Sequence, residues 1–118
     1  MVNYNLGKIY KLSILKTNSI YVGSTAQHYL SDRLSSHVDD FKKWLNGRQY
    51  NSSFQMIKYG DTIITLLESY PCGSKAELNA KEREWLLKLR EAGLVCVNSQ
   101  IPQGIQASSR EEWLAKYR

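Results

Sequence analysis

The chain has 118 residues, enough for one domain with one core and too few for two. Apolar residues make up 42% and charged residues 23%, which argues against wholesale disorder, and no apolar run is long enough for a membrane-spanning helix. Sixteen Lys and Arg against eleven Asp and Glu leave a formal charge of +5, so polyanions, nucleic acid first among them, are the expected partners. The opening MVNYNLGKIYKL lacks a basic start followed by an apolar stretch, so no secretory leader is expected. Cys72 and Cys96 are too few for a disulfide scaffold or a four-cysteine zinc site. The expected compartment is therefore intracellular and reducing, cytoplasm or nucleus.

Residues 7–14 alternate, with Ile9, Lys11 and Ser13 on one face and Tyr10, Leu12 and Ile14 on the other, which predicts a strand. Residues 19–24 are rich in β-formers and predict a second strand ending at Gly23. So short a connection makes the pair an antiparallel hairpin. Leu30, Leu34, Val38, Phe41 and Leu45 recur at three and four, which predicts a helix over 30–45. A polar loop follows at 47–53, then a short helix or turn at 53–59. Residues 62–70 predict a third strand, stopped by Pro71. The second long helix runs over 75–92, opened by a Ser74–Glu77 capping box and closed at Gly93. Its stripe is Leu78, Trp85, Leu86, Leu89 and Ala92. A short apolar piece, 94–97, leads to an irregular connection and a last short helix at 108–117. The order predicts an α/β protein of the α+β kind, a small and mostly antiparallel sheet with helices packed on it.

No Gly-rich phosphate loop or HExxH helix is present, and neither the two histidines nor the two cysteines have zinc spacing. Polar groups that can carry chemistry cluster early. Tyr10 and Tyr21 fall on neighbouring strands. Arg33 and His37, four apart, share one helix face beside the apolar seam. Periodicity alone reads this pair as ordinary helix surface with a histidine that packs. Glu82 lies on the border of the second helix's stripe, and a carboxylate held inward there wants a cation or a hydrogen-bond donor. A Mg²⁺ ion bound through one carboxylate, water and substrate phosphate would meet that need.

In order and spacing these residues resemble the GIY-YIG nuclease family. Lys8-Ile9-Tyr10 stands in the GIY slot and Tyr21-Val22-Gly23 in the YIG slot, continued by Ser24-Thr25. Arg33 and His37 follow at the family's spacing. Glu82 opens the E-x-x-aromatic-aliphatic run with Trp85 and Leu86, and Asn98 closes the module after an apolar stretch. Lys8 replaces the first glycine of the name. The resemblance covers roughly residues 7–98. It implies a nuclease domain at 1–98 with a tail at 99–118, and a three-stranded antiparallel sheet flanked by helices. The implied reaction is DNA phosphodiester hydrolysis with one divalent cation, Mg²⁺ or Mn²⁺, with RNA left open as a substrate.

The resemblance also implies roles. Glu82 holds the metal. Tyr10 is the general base for the attacking water, its phenol made acidic by nearby positive charge from Arg33, His37, the metal, Lys8 or Lys11. Tyr21 hydrogen-bonds the phosphate or a water, Arg33 stabilises the transition-state charge, and His37 relays a proton or orients a tyrosine. Gly23 allows a close backbone approach, and Asn98 ties the last segment to the sheet. Ser52 and Ser53 are expected in a loop near the DNA backbone, Lys42, Lys43 and Arg48 as a phosphate-contacting patch, and His28 as a solvent-facing loop residue. The alternative is a module of the same fold that binds nucleic acid without cutting it. Only about 20 residues follow Asn98, with no zinc finger or helix-turn-helix among them. Target choice is therefore expected from branched DNA structure, a homodimer or a partner protein, in a repair, mobile-element or viral setting.

Overall fold

Alternation in the first strand places apolar groups on both of its faces, so the strand must be covered twice. The computed structural model, which describes residues 2–15, 17–45, 53–57 and 60–98, shows how. In β1 (Lys8–Ser13), Ile9, Tyr10 and Leu12 are all fully buried. Ile9 packs with Ile20, Val22, Leu78 and Cys96, whereas Tyr10 and Leu12 join Phe41, Trp44, Phe54 and Met56. The two clusters lie on opposite sides of the sheet, as the two-residue period of a strand requires.

β2 (Ser19–Thr25) pairs antiparallel with β1, placing Tyr10 opposite Gly23 and Leu12 opposite Tyr21. α1 (Leu30–Leu45) and the one-turn α2 (Phe54–Ile57) carry the groups that cover the Tyr10 face. β3 (Ile63–Ser69) pairs antiparallel with the other edge of β1, with a register shift between Ile9 and Tyr10. α3 (Lys75–Glu91) covers the Ile9 face through Leu78, Trp85, Leu86 and Leu89. Its N-cap, Ser74, accepts from the Glu77 amide at 3.3 Å, while the Glu77 carboxylate accepts from the Gly73 amide at 2.8 Å. The reciprocal cap is therefore displaced one residue from the ideal box.

The expected three-stranded antiparallel sheet is corrected to a four-stranded mixed one, in the order β3-β1-β2-β4. β4 (Val95–Cys96) runs parallel to β2, and the Val97 amide donates to the Ile20 carbonyl at 2.9 Å. Two residues show no periodicity, so the sequence marks only an apolar piece there. Two details of the helices also differ from expectation. Trp44, outside the predicted seam, is among the most buried residues, while Leu30, Leu34, Val38 and Leu45 are only half-buried at its margins. Ala92 is exposed, because α3 has already ended and Gly93 turns the chain with φ +91°. The tail helix at 108–117 and residues 47–52 of the expected polar loop lie outside the described residues. Among the described residues no helix is long and apolar enough to cross a membrane.

Candidate active site

The pairing of β1 with β2 sets Tyr10 beside a residue that has no side chain. A Cβ at Gly23 would fall inside the van der Waals envelope of the Tyr10 phenol, against its Oη and Cζ atoms. Glycine is thus required here for space, so that the phenol can lie across β2. The register shift next to Tyr10 gives β3 an extra residue at this point, a local device that re-aims neighbouring side chains.

α1 brings two further groups to that phenol. The Arg33 Nε–H donates to Tyr10 Oη at 3.1 Å, and His37 Nε2 lies 2.6 Å from the same oxygen. The other imidazole nitrogen, Nδ1, lies 3.1 Å from Ser53 Oγ. Tyr21 stands edge-on to the His37 ring, with centroids 5.7 Å apart and planes at 78°. Its hydroxyl makes no hydrogen bond to another side chain or backbone group among the described residues. The i, i+4 pair on α1 therefore meets the hairpin, where periodicity alone reads an ordinary helix surface. His37 is 2% exposed and Arg33 half-buried.

Glu82 arrives from α3. Its Oε1 accepts from Ser24 Oγ at 2.7 Å. Ser24, next to Gly23, points to the opposite face of β2, so the site wraps around the end of the hairpin. A cleft of about 700 Å³ opens there, lined by Ser24, Thr25, Gln27, Arg33, Lys75 and Glu82 among others.

Burial governs the electrostatics. It pushes the Tyr10 phenol above its ordinary pKa, an effect that the adjacent Arg33 guanidinium opposes and the Glu82 charge reinforces. Tyr21 is raised by burial too, and by the neighbouring Tyr10 and Glu82. Burial, helped by the Arg33 charge, pushes His37 down to about 3, so its resting form is the neutral imidazole. Glu82 is raised by burial, against the stabilising Ser24 hydroxyl and Arg33. The expectation that surrounding positive charge makes the phenol acidic is corrected: in the free protein, desolvation outweighs it.

The remaining expected residues separate. Lys8 Nζ donates to the Leu6 and Gln27 carbonyls, each at 2.6 Å, so it straps the turn before β1 to the loop after β2. Its half-buried ammonium is lowered in pKa by desolvation and points at carbonyls. Lys11 lies on the Ile9 face of β1, away from the phenol it was expected to polarise. Lys42 and Lys43 are exposed near the end of α1. Nine residues of helix place Lys42 about 14 Å along the axis from Arg33 and on the opposite side, so neither joins the Tyr10 cluster. Arg48 and Ser52 lie outside the described residues. Ser53 is fully buried, so the expected loop contact with DNA is replaced by a contact with His37. Asn98 accepts from the Val22 amide at 2.9 Å and donates to the Val22 carbonyl, fastening the chain after β4 to β2. His28 is exposed, stacked edge-on against Tyr29.

The donors around Glu82 are oxygens, a carboxylate and a hydroxyl, which suits a hard cation such as Mg²⁺ or Mn²⁺. Among the described residues no three His, Cys, Asp or Glu side chains gather, so such an ion would draw most of its ligands from water and substrate. Sequence reasoning missed Ser24 as the Glu82 partner and Ser53 as the His37 partner. A serine directly after the second tyrosine motif was the available signal for the first; nothing local marked the second. No protein-family model matches this chain, and no curated protein or solved structure matches it.

Proposed function

We propose that the chain is a metal-dependent endonuclease of the GIY-YIG kind that hydrolyses DNA phosphodiester bonds. The observation that carries the reading is the convergence of Arg33 and His37 on the Tyr10 phenol, beside a cleft holding Glu82. Three separate elements supply these groups, and gathering the buried Tyr10 and His37 with the half-buried Arg33 and Glu82 without a role is costly.

In this reading Glu82, steadied by Ser24, holds one Mg²⁺ or Mn²⁺ ion, which when bound supplies Lewis-acid activation of the phosphate. Arg33 uses one N–H on Tyr10 and has further guanidinium donors for the phosphate oxygens as charge grows in the transition state. An incoming phosphodiester competes for Arg33, which uncovers a lone pair on Tyr10 for the attacking water. Tyr10 Oη then takes the water's proton as its own proton passes to His37 Nε2. Because the two transfers are coupled, no free phenolate has to persist in a buried site. The phosphate's charge offsets the hold of Arg33 on His37, so the relay gains basicity when substrate is present. The Tyr21 hydroxyl is left to hydrogen-bond the phosphate or the water.

The test is nicking of supercoiled plasmid and of branched DNA with Mg²⁺, Mn²⁺ or EDTA. Cutting should require the cation and fall by at least about a hundredfold in Glu82→Ala, with the fold retained. Cutting that survives EDTA or the substitution would overturn the metal role. Salt-sensitive binding by a folded chain that cuts in no metal would move the assignment to a binding module of the same fold.

A further inference from the structure

We infer that Ser53 is a positioning residue that fixes His37 with its proton on Nδ1, so that the Tyr10 hydroxyl hydrogen is committed to His37 Nε2. The catalytic part of this inference rests on the nuclease reading; the tautomer part does not.

A count of donors and acceptors carries it. Tyr10 is fully buried, so its hydroxyl hydrogen needs an acceptor within the protein. Among the described residues its oxygen has two partners, Arg33 Nε and His37 Nε2. A guanidinium nitrogen only donates. The hydrogen therefore goes to His37 Nε2, which must be the unprotonated nitrogen. A neutral imidazole then carries its proton on Nδ1, and the group within reach is Ser53 Oγ at 3.1 Å, acting as acceptor. The opposite tautomer would aim two donors at the Tyr10 oxygen and leave the phenol hydrogen with no partner among the described residues.

The local fold explains how Ser53 is held. Its carbonyl accepts from the Met56 and Ile57 amides, at 2.9 and 3.2 Å, and so closes the single turn of α2. Phe54, Met56 and Ile57 are all buried, with Phe54 against Phe41 and Trp44. A one-turn helix cannot persist by its own backbone bonds. Here core packing fixes it and, with it, the Ser53 hydroxyl beneath the imidazole. In the reaction, the water's proton moves to Tyr10 Oη, the phenol proton moves to His37 Nε2, and the resulting imidazolium keeps its Nδ1–H on Ser53.

Ring ¹⁵N NMR of histidine-labelled protein tests this directly. The chain has two histidines, and a His28→Asn variant assigns the spectrum. In the wild type, His37 should show a pyrrole-type Nδ1 and a pyridine-type Nε2. Ser53→Ala should mix the two tautomers and lower kcat at least about tenfold with KM little changed, and Ser53→Thr should restore both. A pyridine-type Nδ1 in the wild type overturns the proposal, whether or not Ser53→Ala folds. An unmixed ring in a folded Ser53→Ala protein overturns it as well. A chain with the assigned tautomer that never cuts DNA keeps the assignment and removes the nuclease reading instead.

Discussion

His37 joins the Tyr10 phenol to the core, and its ionisation is coupled to folding. In the unfolded chain a histidine binds its proton near pH 6.5; in the fold His37 does so only near about 3. Between these values the unfolded state holds more protons, so stability rises with pH. The contribution is complete above about pH 6.5 and is lost as pH falls toward 3. At roughly 1.4 kcal/mol per pKa unit, the whole window is worth on the order of 4–5 kcal/mol. Urea midpoints measured from pH 7 down to pH 4 should therefore fall more steeply for the wild type than for His37→Gln. Equal slopes would mean that His37 ionises freely inside the fold. The residue pair Arg33 and His37 was legible as a spacing of four. Its burial was not, because the partner that draws it inward, Tyr10, lies more than 20 residues away in the chain.

The elements divide by length. The long helix over 30–45 was legible to its ends, since an amphipathic pattern repeated over four turns has few alternatives. β1 and β2 were readable from alternation, β-propensity and a short connection. β4 was not, because its pairing is a tertiary event closed by Asn98. That closure can be measured. Asn98→Ala would leave the buried Val22 N–H and C=O without their side-chain partner, a loss of about 2–4 kcal/mol. Hydrogen exchange at the Val22 and Val97 amides should accelerate well ahead of exchange in β1. Uniform acceleration would show instead that β4 and the hairpin open as one unit. The burial of Trp44 was hidden for a related reason. It sits beside the predicted seam, and Phe54 of α2, which packs against it, belongs to a separate element later in the chain.

Across the molecule, the charge of +5 and the placement of the lysines bear on binding. Lys8 is engaged with carbonyls and Lys11 lies on the far face from the phenol, whereas Lys42 and Lys43 remain exposed on α1. If DNA runs from the cleft along α1, its affinity should fall linearly with log salt. Replacing Lys42 and Lys43 by Ala should then reduce that slope by about one for each phosphate no longer neutralised, with nicking at saturating DNA little changed. An unchanged slope would place the DNA path elsewhere. Basic charge, the hairpin, both long helices and the order of Tyr10, Arg33, His37 and Glu82 could all be read along the chain. Periods of two and 3.6 and the order of motifs are properties of the chain and need no partner. The fourth strand, the Lys8 strap, and the serines Ser53 and Ser24 behind His37 and Glu82 emerged only on folding. Each is a contact between residues that the sequence does not place side by side. Burial then raised the phenol's pKa where local charge alone would lower it, because desolvation depends on everything packed around a group.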